Sequence, residues 1–396
     1  MKERIKTLVL YANGATWKAV TVDTILRGFL MLGDDFTLSP TLNQIPLLRK
    51  IIGQRWEPTS YVIDWRKALC SAPELEVELC NITNLLGYRQ SRKAISRYPL
   101  VIILHCATSS SMPLLLKTAH WFQQRRGKLL LFVGNEYDIM PEKFRFIRSV
   151  EADYVCSQLP IETAHWLYSE CHPAKILAMP HALNPEVYYP DPGAQRPIDI
   201  GFIGDHYPYF VGDTERDTLI SFFQQRGSDF GLRCKIRTDR IPAIAWARFL
   251  NDCKGTVGGE SGTYFLDQKG QIITQAKAYL QKHPEVTFKE IFELFFRSPP
   301  IEYISGKAIS SRHFEAIGTK TCQLLLEGHY NGILKPDEHY IKVNKDRSNI
   351  KDATRRFKDD EFRTGIVERA YEYVMDKHTY RHRVESLLKS VTKSGF

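Results

Sequence analysis

Short, uninterrupted runs of apolar residues recur along the first half of the chain, each bounded by polar or glycine-containing segments. Continuous apolar runs with this spacing are typical of strands that are buried on both faces of a parallel sheet. We therefore predict strands at residues 7–11, 100–104, 129–133, 154–156 and 176–179.

Helical periodicity fills the segments between these runs. Residues 112–125 place apolar side chains every three or four positions, and Gly127 follows, where the chain must turn. Alternation of strand and helix predicts an α/β domain with right-handed crossovers.

A proline-rich segment at residues 179–197 interrupts this alternation, because proline disfavours both helix interiors and central strands. Beyond it the pattern resumes, which predicts a second α/β domain. Its predicted strands lie at 198–203, 232–236 and 255–257, and its predicted helices at 214–225, 244–253 and 311–326.

Residues 264–306 do not fit the alternation. They contain two helix-like runs, 272–282 and 288–296, where a doubly wound domain needs only one short connection. We interpret the segment as a helical insertion in the second domain. The apolar face of the second run is expected to pack inward, and contact with a partner or a membrane stays open as an alternative.

Length and composition agree with a two-domain protein. The chain has 396 residues and ordinary apolar content. We predict a first domain at 1–188, a second at 189–380, and a terminal helix at 381–396 that packs back on the first. Eight scattered cysteines without a CxxC pair are expected to be reduced thiols.

Charge and targeting signals narrow the functional class only slightly. The formal net charge of +9 favours anionic partners in general, but the basic residues are spread along the chain, which argues against nucleic-acid binding. No apolar run is long enough to span a bilayer, and the start does not read as a signal peptide. We expect a cytoplasmic protein, with peripheral contact to the inner face of the membrane as an alternative.

The segment 310–326 offers the most specific chemistry. Arg312 near the start of a helix, beside its free backbone N–H groups, makes a site suited to a diphosphate. Glu315 would repel phosphate, but its carboxylate can accept two hydrogen bonds from the vicinal hydroxyls of a ribose. Together these residues indicate a nucleotide site, and a solvated Arg–Glu pair is the alternative.

These motifs resemble a known family. The stretch SRHFEAIG, followed by HYNGILKPDEHYIKV, is similar to the C-terminal signature of GT-B glycosyltransferases, closest to the spore-maturation-protein-like group. The segments MPHALNPEVYYP, IDIGFIGD and HTYRHRVESLL resemble further parts of that group in the same order.

The resemblance implies two Rossmann-like domains facing each other across a cleft. It also implies metal-independent transfer of a hexosyl unit from a nucleotide diphosphate sugar to an acceptor hydroxyl of unknown class, in glycan or glycoconjugate biosynthesis. Glu315 would contact the ribose and Arg312 would lie near the diphosphate. Retaining members often carry a glutamate where this chain has Lys307, so the stereochemical outcome stays open.

Two turns supply further donor-binding candidates, because ligand loops of α/β domains follow the carboxyl ends of strands. Ordinary glycine turns are the alternative in both places. The candidates are Gly204 and Arg216 after one strand, and Gly259, Glu260, Ser261, Gly262 and Thr263 after another.

Catalytic candidates come from the first domain. His105 ends one predicted strand and Glu136 follows another, so an imidazole and a carboxylate would meet at one sheet edge, as acid–base chemistry on a hydroxyl requires. A buried structural histidine is the alternative. Residues 12–16, after the first strand, would lie at the same edge.

Other functions remain open on the same architecture. A nucleotide-sugar epimerase is the first alternative, and a non-catalytic protein that binds nucleotides or nucleic acid is the second. The sequence contains no HxH, HExxH or DxD signal, so we expect neither a catalytic metal nor another cofactor.

Overall fold

The computed structural model describes residues 3–12, 17–31, 45–46, 60–109, 111–239 and 241–392. The chain forms two compact units. Unit 1 comprises Met1–Ser157, Tyr168–Met179 and Val384–Phe396, and unit 2 comprises Gln158–Leu167 and Pro180–Arg383.

Unit 1 is built on a six-stranded parallel sheet with the strand order β2-β1-β3-β4-β5-β6. Every strand predicted for this half is present, with bounds that differ by one or two residues. The strands are β1 (Ile5–Tyr11), β2 (Leu75–Asn81), β3 (Leu100–Ile103), β4 (Lys128–Phe132), β5 (Tyr154–Ser157) and β6 (Lys175–Ala178).

Strand β2 was not predicted from the sequence. Its segment LEVELCN contains Glu76 and Glu78, which break the apolar run that marked the other strands. The charged positions are tolerated because β2 lies at the edge of the sheet, paired only with β1 among the described strands.

Helices connect the parallel strands of unit 1. The helix predicted at 112–125 is divided at Thr118, whose hydroxyl lies 2.6 Å from that of Tyr88. The α-helices are Trp17–Asp23, Ser60–Cys70, Leu85–Ile95, Met112–Lys117, Ala119–Gln123 and Met140–Ser149, and a π-helix spans Thr24–Phe29.

Unit 2 is built on a five-stranded parallel sheet with the strand order β11-β10-β9-β7-β8. Two parallel sheets with helical crossovers confirm the predicted α/β class. The strands are β7 (Ile198–Ile203), β8 (Cys234–Arg237), β9 (Cys253–Gly258), β10 (Cys322–Leu326) and β11 (Ile341–Val343).

The helices of unit 2 include both helices of the predicted insertion. The final helix, Tyr380–Thr392, begins in unit 2 and continues in unit 1. The other α-helices are Ile161–Leu167, Glu215–Arg226, Ala243–Asn251, Gln271–Lys282, Phe288–Phe295, Ser311–Gly318, Ile350–Lys358 and Asp360–Lys377.

The prediction of one helix over 311–326 was wrong. The helix ends at Gly318, Lys320 adopts a φ of 53° that a right-handed helix cannot continue through, and the chain then forms β10. Every residue of β10 is buried, because the strand lies between β9 and β11. A short apolar run that is buried on all sides does not distinguish helix from strand.

Two antiparallel bridges hold the two ends of the insertion together: Ser261 pairs with Ala308 just outside it, and Leu266 pairs with Ile304 inside it. Phe265 packs against Phe296, with a distance of 4.7 Å between ring centroids. Part of the apolar face therefore packs inward. Contact of the remainder with a partner or a membrane stays the alternative. Among the helices described, none is long and apolar enough to cross a membrane.

Candidate functional site

A pocket opens in unit 2 at the carboxyl ends of β7, β9 and β10, where parallel sheets place their ligands. The empty space among its lining residues is about 440 Å³. The lining is formed by aromatic, basic and glycine residues with several polar ones: Phe202, Tyr207, Arg216, Trp246, Thr256, Val257, Gly258, Gly259, Ser310, Arg312, His313, Gln323 and Leu325.

Arg312 reaches this first pocket from the first turn of the helix Ser311–Gly318. One guanidinium nitrogen, Nη1, donates to the carbonyl of Ile203, 2.6 Å away, at the end of β7. The guanidinium also lies 4.9 Å from the centroid of the Trp246 ring. Its position is therefore fixed from two sides, while it still lines the pocket.

Gly204 makes room for this arrangement. A Cβ atom at position 204 would lie 3.0 Å from the Arg312 Nη2 atom, which is closer than ordinary side-chain contacts. Two residues that the sequence placed on separate segments, Gly204 and Arg312, thus meet at one point.

Arg216 reaches the same pocket from the start of the helix Glu215–Arg226. Its Nη2 atom donates to the carbonyl of Asp205 at 2.7 Å and to the carboxylate of Asp217 at 2.8 Å. The guanidinium stacks on Tyr207, 3.6 Å from the ring centroid. Asp217 pairs with Arg216, and the lining of the first pocket itself contains two guanidinium groups and no carboxylate.

His313 is a lining residue to which the sequence analysis gave no role. Its ring hydrogen-bonds with the backbone of Ser310 and of Gly259, so it ties the helix start to the loop after β9. Burial lowers the pKa of His313 to about 4, and the charges of Arg312 and Arg216 act in the same direction. The imidazole is therefore neutral near pH 7. Its place inside SRHFEAIG, three residues after Ser310, was the available signal.

A second pocket shares Arg216 and Gly259 with the first and is rich in carboxylates. Lys307 forms an ion pair with Asp213 there, and both side chains are buried. Lys307 is therefore already neutralised by a carboxylate. The remaining lining residues are Glu215, Glu260, Tyr264, Leu326 and Glu327.

Tyr264 is held at this second pocket by charged neighbours. Its hydroxyl donates to Glu215 at 2.5 Å and accepts from Lys345 at 2.5 Å. Burial raises the pKa of Tyr264, and the hydrogen bond to Glu215 raises it further. The phenol is therefore protonated and serves as a donor.

The loop 259–263 does not present all its residues to a ligand. Gly259 and Glu260 line pockets, but one Glu260 oxygen accepts from the backbone N–H of Tyr330 at 2.6 Å. The backbone of Ser261 pairs with Ala308. The Ser261 N–H is consequently not available to bind a phosphate or a sugar.

Gly262 and Thr263 have structural roles. Gly262 has a φ of 98°, and a Cβ there would meet the Gly306 carbonyl at 2.3 Å. Thr263 is completely buried and donates its hydroxyl to the carbonyl of Val211, 2.7 Å away. Both residues lie outside the lining of the two pockets described, and the donor contact expected for them stays a prediction.

Glu315 also lies beneath the first pocket instead of lining it. The side chain is 4% exposed, and its Oε2 atom accepts from the indole N–H of Trp246 at 2.8 Å. The carboxylate therefore contacts a lining residue. The ribose contact expected for Glu315 stays a prediction.

His105 in unit 1 lies in an aromatic environment and is 1% exposed. Its ring centroid lies 5.2 Å from that of Phe132 and 5.6 Å from that of Tyr61. Close packing of this kind is typical of a structural histidine, and its catalytic role stays a prediction.

Glu136 follows β4 in unit 1 and is 5% exposed. Its Oε1 atom accepts from the hydroxyls of Ser157 and Tyr168, each at 2.7 Å. The buried ammonium of Lys143 donates to the carbonyls of Gly134 and Asn135, which holds the same loop. Glu136 thus lies in a hydrogen-bonded network, and its role as a base also stays a prediction. Of the loop 12–16, residues 13–16 lie outside the described residues.

A known protein family matches a segment of the chain that lies mostly in unit 2. Residues 245–389 match a family model described as "Glycosyl transferase-like". The matched segment contains Trp246, Arg312 and His313, whereas Gly204 and Arg216 lie before it. Among curated proteins, none matches the chain significantly.

Solved structures resemble the whole chain at low identity. Anabaena HepE in complex with UDP-glucose has 10% identity and a TM-score of 0.50, covering 98% of this chain and 100% of its own. Its complex with UDP gives 9% and 0.50, with the same coverage. A trehalose-phosphate synthase from Burkholderia vietnamiensis gives 10% and 0.45, covering 99% of both chains. The fold is that of the GT-B glycosyltransferases.

Within the described ranges, no group of three or more His, Cys, Asp or Glu side chains is arranged to hold a metal ion. The cations that line the first pocket are guanidinium groups.

Proposed function

We propose that the protein is a glycosyltransferase that moves a hexosyl unit from a nucleotide diphosphate sugar to an acceptor hydroxyl. The family match over residues 245–389 and the GT-B fold support the reaction class. The transfer is proposed to be metal-independent and to serve glycan or glycoconjugate biosynthesis.

The observation that carries this proposal is the convergence of two guanidinium groups on one pocket. Arg312 and Arg216 come from different helices and meet at the carboxyl edge of the unit 2 sheet. Guanidinium groups pair well with phosphate oxygens, and their charge stabilises a departing diphosphate. We assign the diphosphate to this pair.

The remaining lining fits the rest of a nucleotide donor. Phe202 and Tyr207 supply aromatic surface for a base, and the glycines at 258 and 259 allow close backbone approach. The adjoining second pocket, with its carboxylates and the Tyr264 hydroxyl, offers hydrogen-bonding partners to a sugar.

A binding experiment tests the donor class. UDP and UDP-glucose are the first ligands to use, because they are bound in the HepE structures, followed by the other nucleoside diphosphates and their sugars. A ligand that binds only the folded protein raises its melting temperature by mass action. Failure of every nucleotide to raise the melting temperature would overturn the proposal.

Product analysis separates the proposed reaction from an epimerase of the same architecture. Incubation with the bound donor sugar alone should leave most of it intact, with slow release of free sugar. Conversion of the donor into an epimer would replace the transferase assignment.

The acceptor is proposed by its chemical class alone. The acceptor is a hydroxyl of a glycan, a lipid-linked sugar or a protein, and a side chain of unit 1 would take its proton. His105 and Glu136 stay the predicted candidates. Cytoplasmic location with peripheral membrane contact belongs to the same proposal.

A further inference from the structure

Trp246 connects the two charged residues of the helix Ser311–Gly318. It lies on the helix Ala243–Asn251 and is 7% exposed. Its indole N–H donates to the Oε2 atom of Glu315 at a distance of 2.8 Å, and both groups are buried. A buried carboxylate that accepts this bond fixes the rotation of the indole ring.

The ring so fixed lies beneath Arg312. The guanidinium carbon is 4.9 Å from the indole centroid, within the range in which a cation is attracted to an aromatic face. Trp246 also stacks on Phe249 with an interplanar angle of 23° and a centroid distance of 5.7 Å. The indole is thus supported by packing as well as by its hydrogen bond.

Arg312 is held from another direction by the carbonyl of Ile203, 2.6 Å from Nη1. A long arginine side chain otherwise loses much rotamer freedom when it binds an anion. Fixing the guanidinium before the ligand arrives avoids that cost. The negative charge of Glu315 adds an electrostatic attraction on Arg312.

We propose that Trp246 and Glu315 are positioning residues that hold Arg312 in place for the diphosphate of the donor. This inference rests on the proposed function, because it assumes that Arg312 contacts a diphosphate. It gives Glu315 a role different from the expected ribose contact. The two roles predict different losses of affinity. A positioning role affects binding of the diphosphate, and therefore of UDP, whereas a ribose contact also affects binding of the nucleoside uridine.

The first test is Trp246→Phe, which removes the indole N–H and keeps an aromatic face. We expect affinity for UDP, measured by calorimetry, to fall about fivefold, because the ring beneath Arg312 loses the bond that fixes it while an aromatic face is kept. Affinity for uridine, measured by ligand-observed NMR, should stay unchanged. Trp246→Leu removes the face as well and should weaken UDP binding further.

The decisive test places Trp246→Phe in an Arg312→Ala background. If Trp246 acts through Arg312, the double variant should bind UDP as weakly as Arg312→Ala alone. A tryptophan that contacts the base directly, or that merely supports the fold, would cost affinity in both backgrounds. A further loss in the double variant would therefore overturn the inference.

Glu315→Gln keeps the side-chain shape and removes its charge. We expect the pattern of Trp246→Phe: weaker UDP binding, unchanged uridine binding, and no further loss without Arg312. A loss of uridine affinity would restore the ribose role for Glu315 and contradict the positioning role.

Trp121→Phe in unit 1 is the matched control and should leave both affinities unchanged. Melting temperatures identify any variant that fails to fold. If either Trp246→Phe or Glu315→Gln fails to fold, the UDP affinity of the other variant tests the inference. Unchanged UDP binding in folded Trp246→Phe and Glu315→Gln proteins would refute the inference and leave the proposed function intact. Absence of nucleotide binding by the wild-type protein would instead remove the proposed function.

Discussion

The two units carry candidate residues at corresponding positions of their sheets, but the environments differ. In unit 1, His105 and Glu136 follow the carboxyl ends of β3 and β4 and are both buried. In unit 2, Arg312 and Arg216 meet at an open pocket at the same kind of edge. A strand end identifies which edge of a sheet a residue occupies. Packing of the following loops decides whether a ligand can reach it.

Charge distribution gives a second contrast. Unit 1 contains 24 Lys and Arg against 16 Asp and Glu, whereas unit 2 contains 30 against 29. Nearly all of the net charge of +9 therefore lies in unit 1. The pocket proposed to bind the diphosphate belongs to the unit that is almost neutral, because two converging guanidinium groups create a local field that net charge does not report.

Among the variants proposed here, Arg312→Ala should have the largest effect on UDP binding. Removal of the guanidinium is expected to weaken UDP binding about a hundredfold, because charge-assisted hydrogen bonds are the strong ones. Uridine binding should change little. Calorimetry with UDP and NMR with uridine provide the comparison.

The matched control for Arg312→Ala is an exposed arginine of unit 1, Arg89→Ala. This variant should bind UDP like the wild type. Equal losses from the two substitutions would show that net charge, and not the local pocket, attracts the ligand.

Acid should destabilise unit 2 through His313. The pKa of His313 is about 4 in the folded protein and about 6.5 in the unfolded chain, so the unfolded state binds the proton first as pH falls. Stability from the neutral imidazole is fully present above pH 6.5 and is lost as pH falls from there towards 4. The loss should reach about 3 kcal/mol at pH 4.

Denaturant unfolding at a series of pH values from 7 to 4 measures how steeply the free energy of unfolding falls with pH. The His313→Gln variant provides the comparison. The variant should be less stable at pH 7 but show a shallower loss on acidification. Part of the slope will remain, because burial also lowers the pKa of His181 to about 3 and of His378 to about 4. Identical slopes in the two proteins would contradict the buried, neutral state of His313.

Gly204→Ala should have a smaller effect on the pocket. The added Cβ would lie 3.0 Å from Arg312 Nη2, so the guanidinium must shift. We expect UDP affinity to fall about tenfold with little change in melting temperature, since misplacing a charged donor weakens its bond. Gly193→Ala, on an exposed loop of unit 2, is the control. Wild-type affinity in Gly204→Ala would mean that Arg312 need not occupy its observed position.

Glu136→Gln tests unit 1 and should have the smallest effect. An amide oxygen can still accept from Ser157 and Tyr168, so we expect the free energy of unfolding to fall by only about 1 kcal/mol and UDP affinity to stay unchanged. Donor hydrolysis gives the turnover, and UDP affinity provides the folding control. A hundredfold loss of turnover with intact UDP binding would instead establish Glu136 as the proton acceptor.

Sequence patterns were informative where a segment's environment is uniform along its length. Runs buried on both faces, such as β1 and β3, stand out as continuous apolar stretches. The pattern failed at β2, whose edge position admits glutamates, and at β10, where the run after Gly318 suits either a helix or a strand. In both cases the neighbouring strands, which are distant in sequence, determine the outcome.

The sequence by itself determined the α/β class and the two helices of the insertion, and it singled out Arg312 and Arg216 as candidates, since these follow from local periodicity and chemistry. Only the tertiary structure decided which candidates share a pocket. It brings Gly204, Arg216 and Arg312 together, buries Thr263, and turns Glu315 towards Trp246. The physical reason is that exposure and hydrogen-bond partners depend on contacts between segments far apart in the chain, which no local pattern contains.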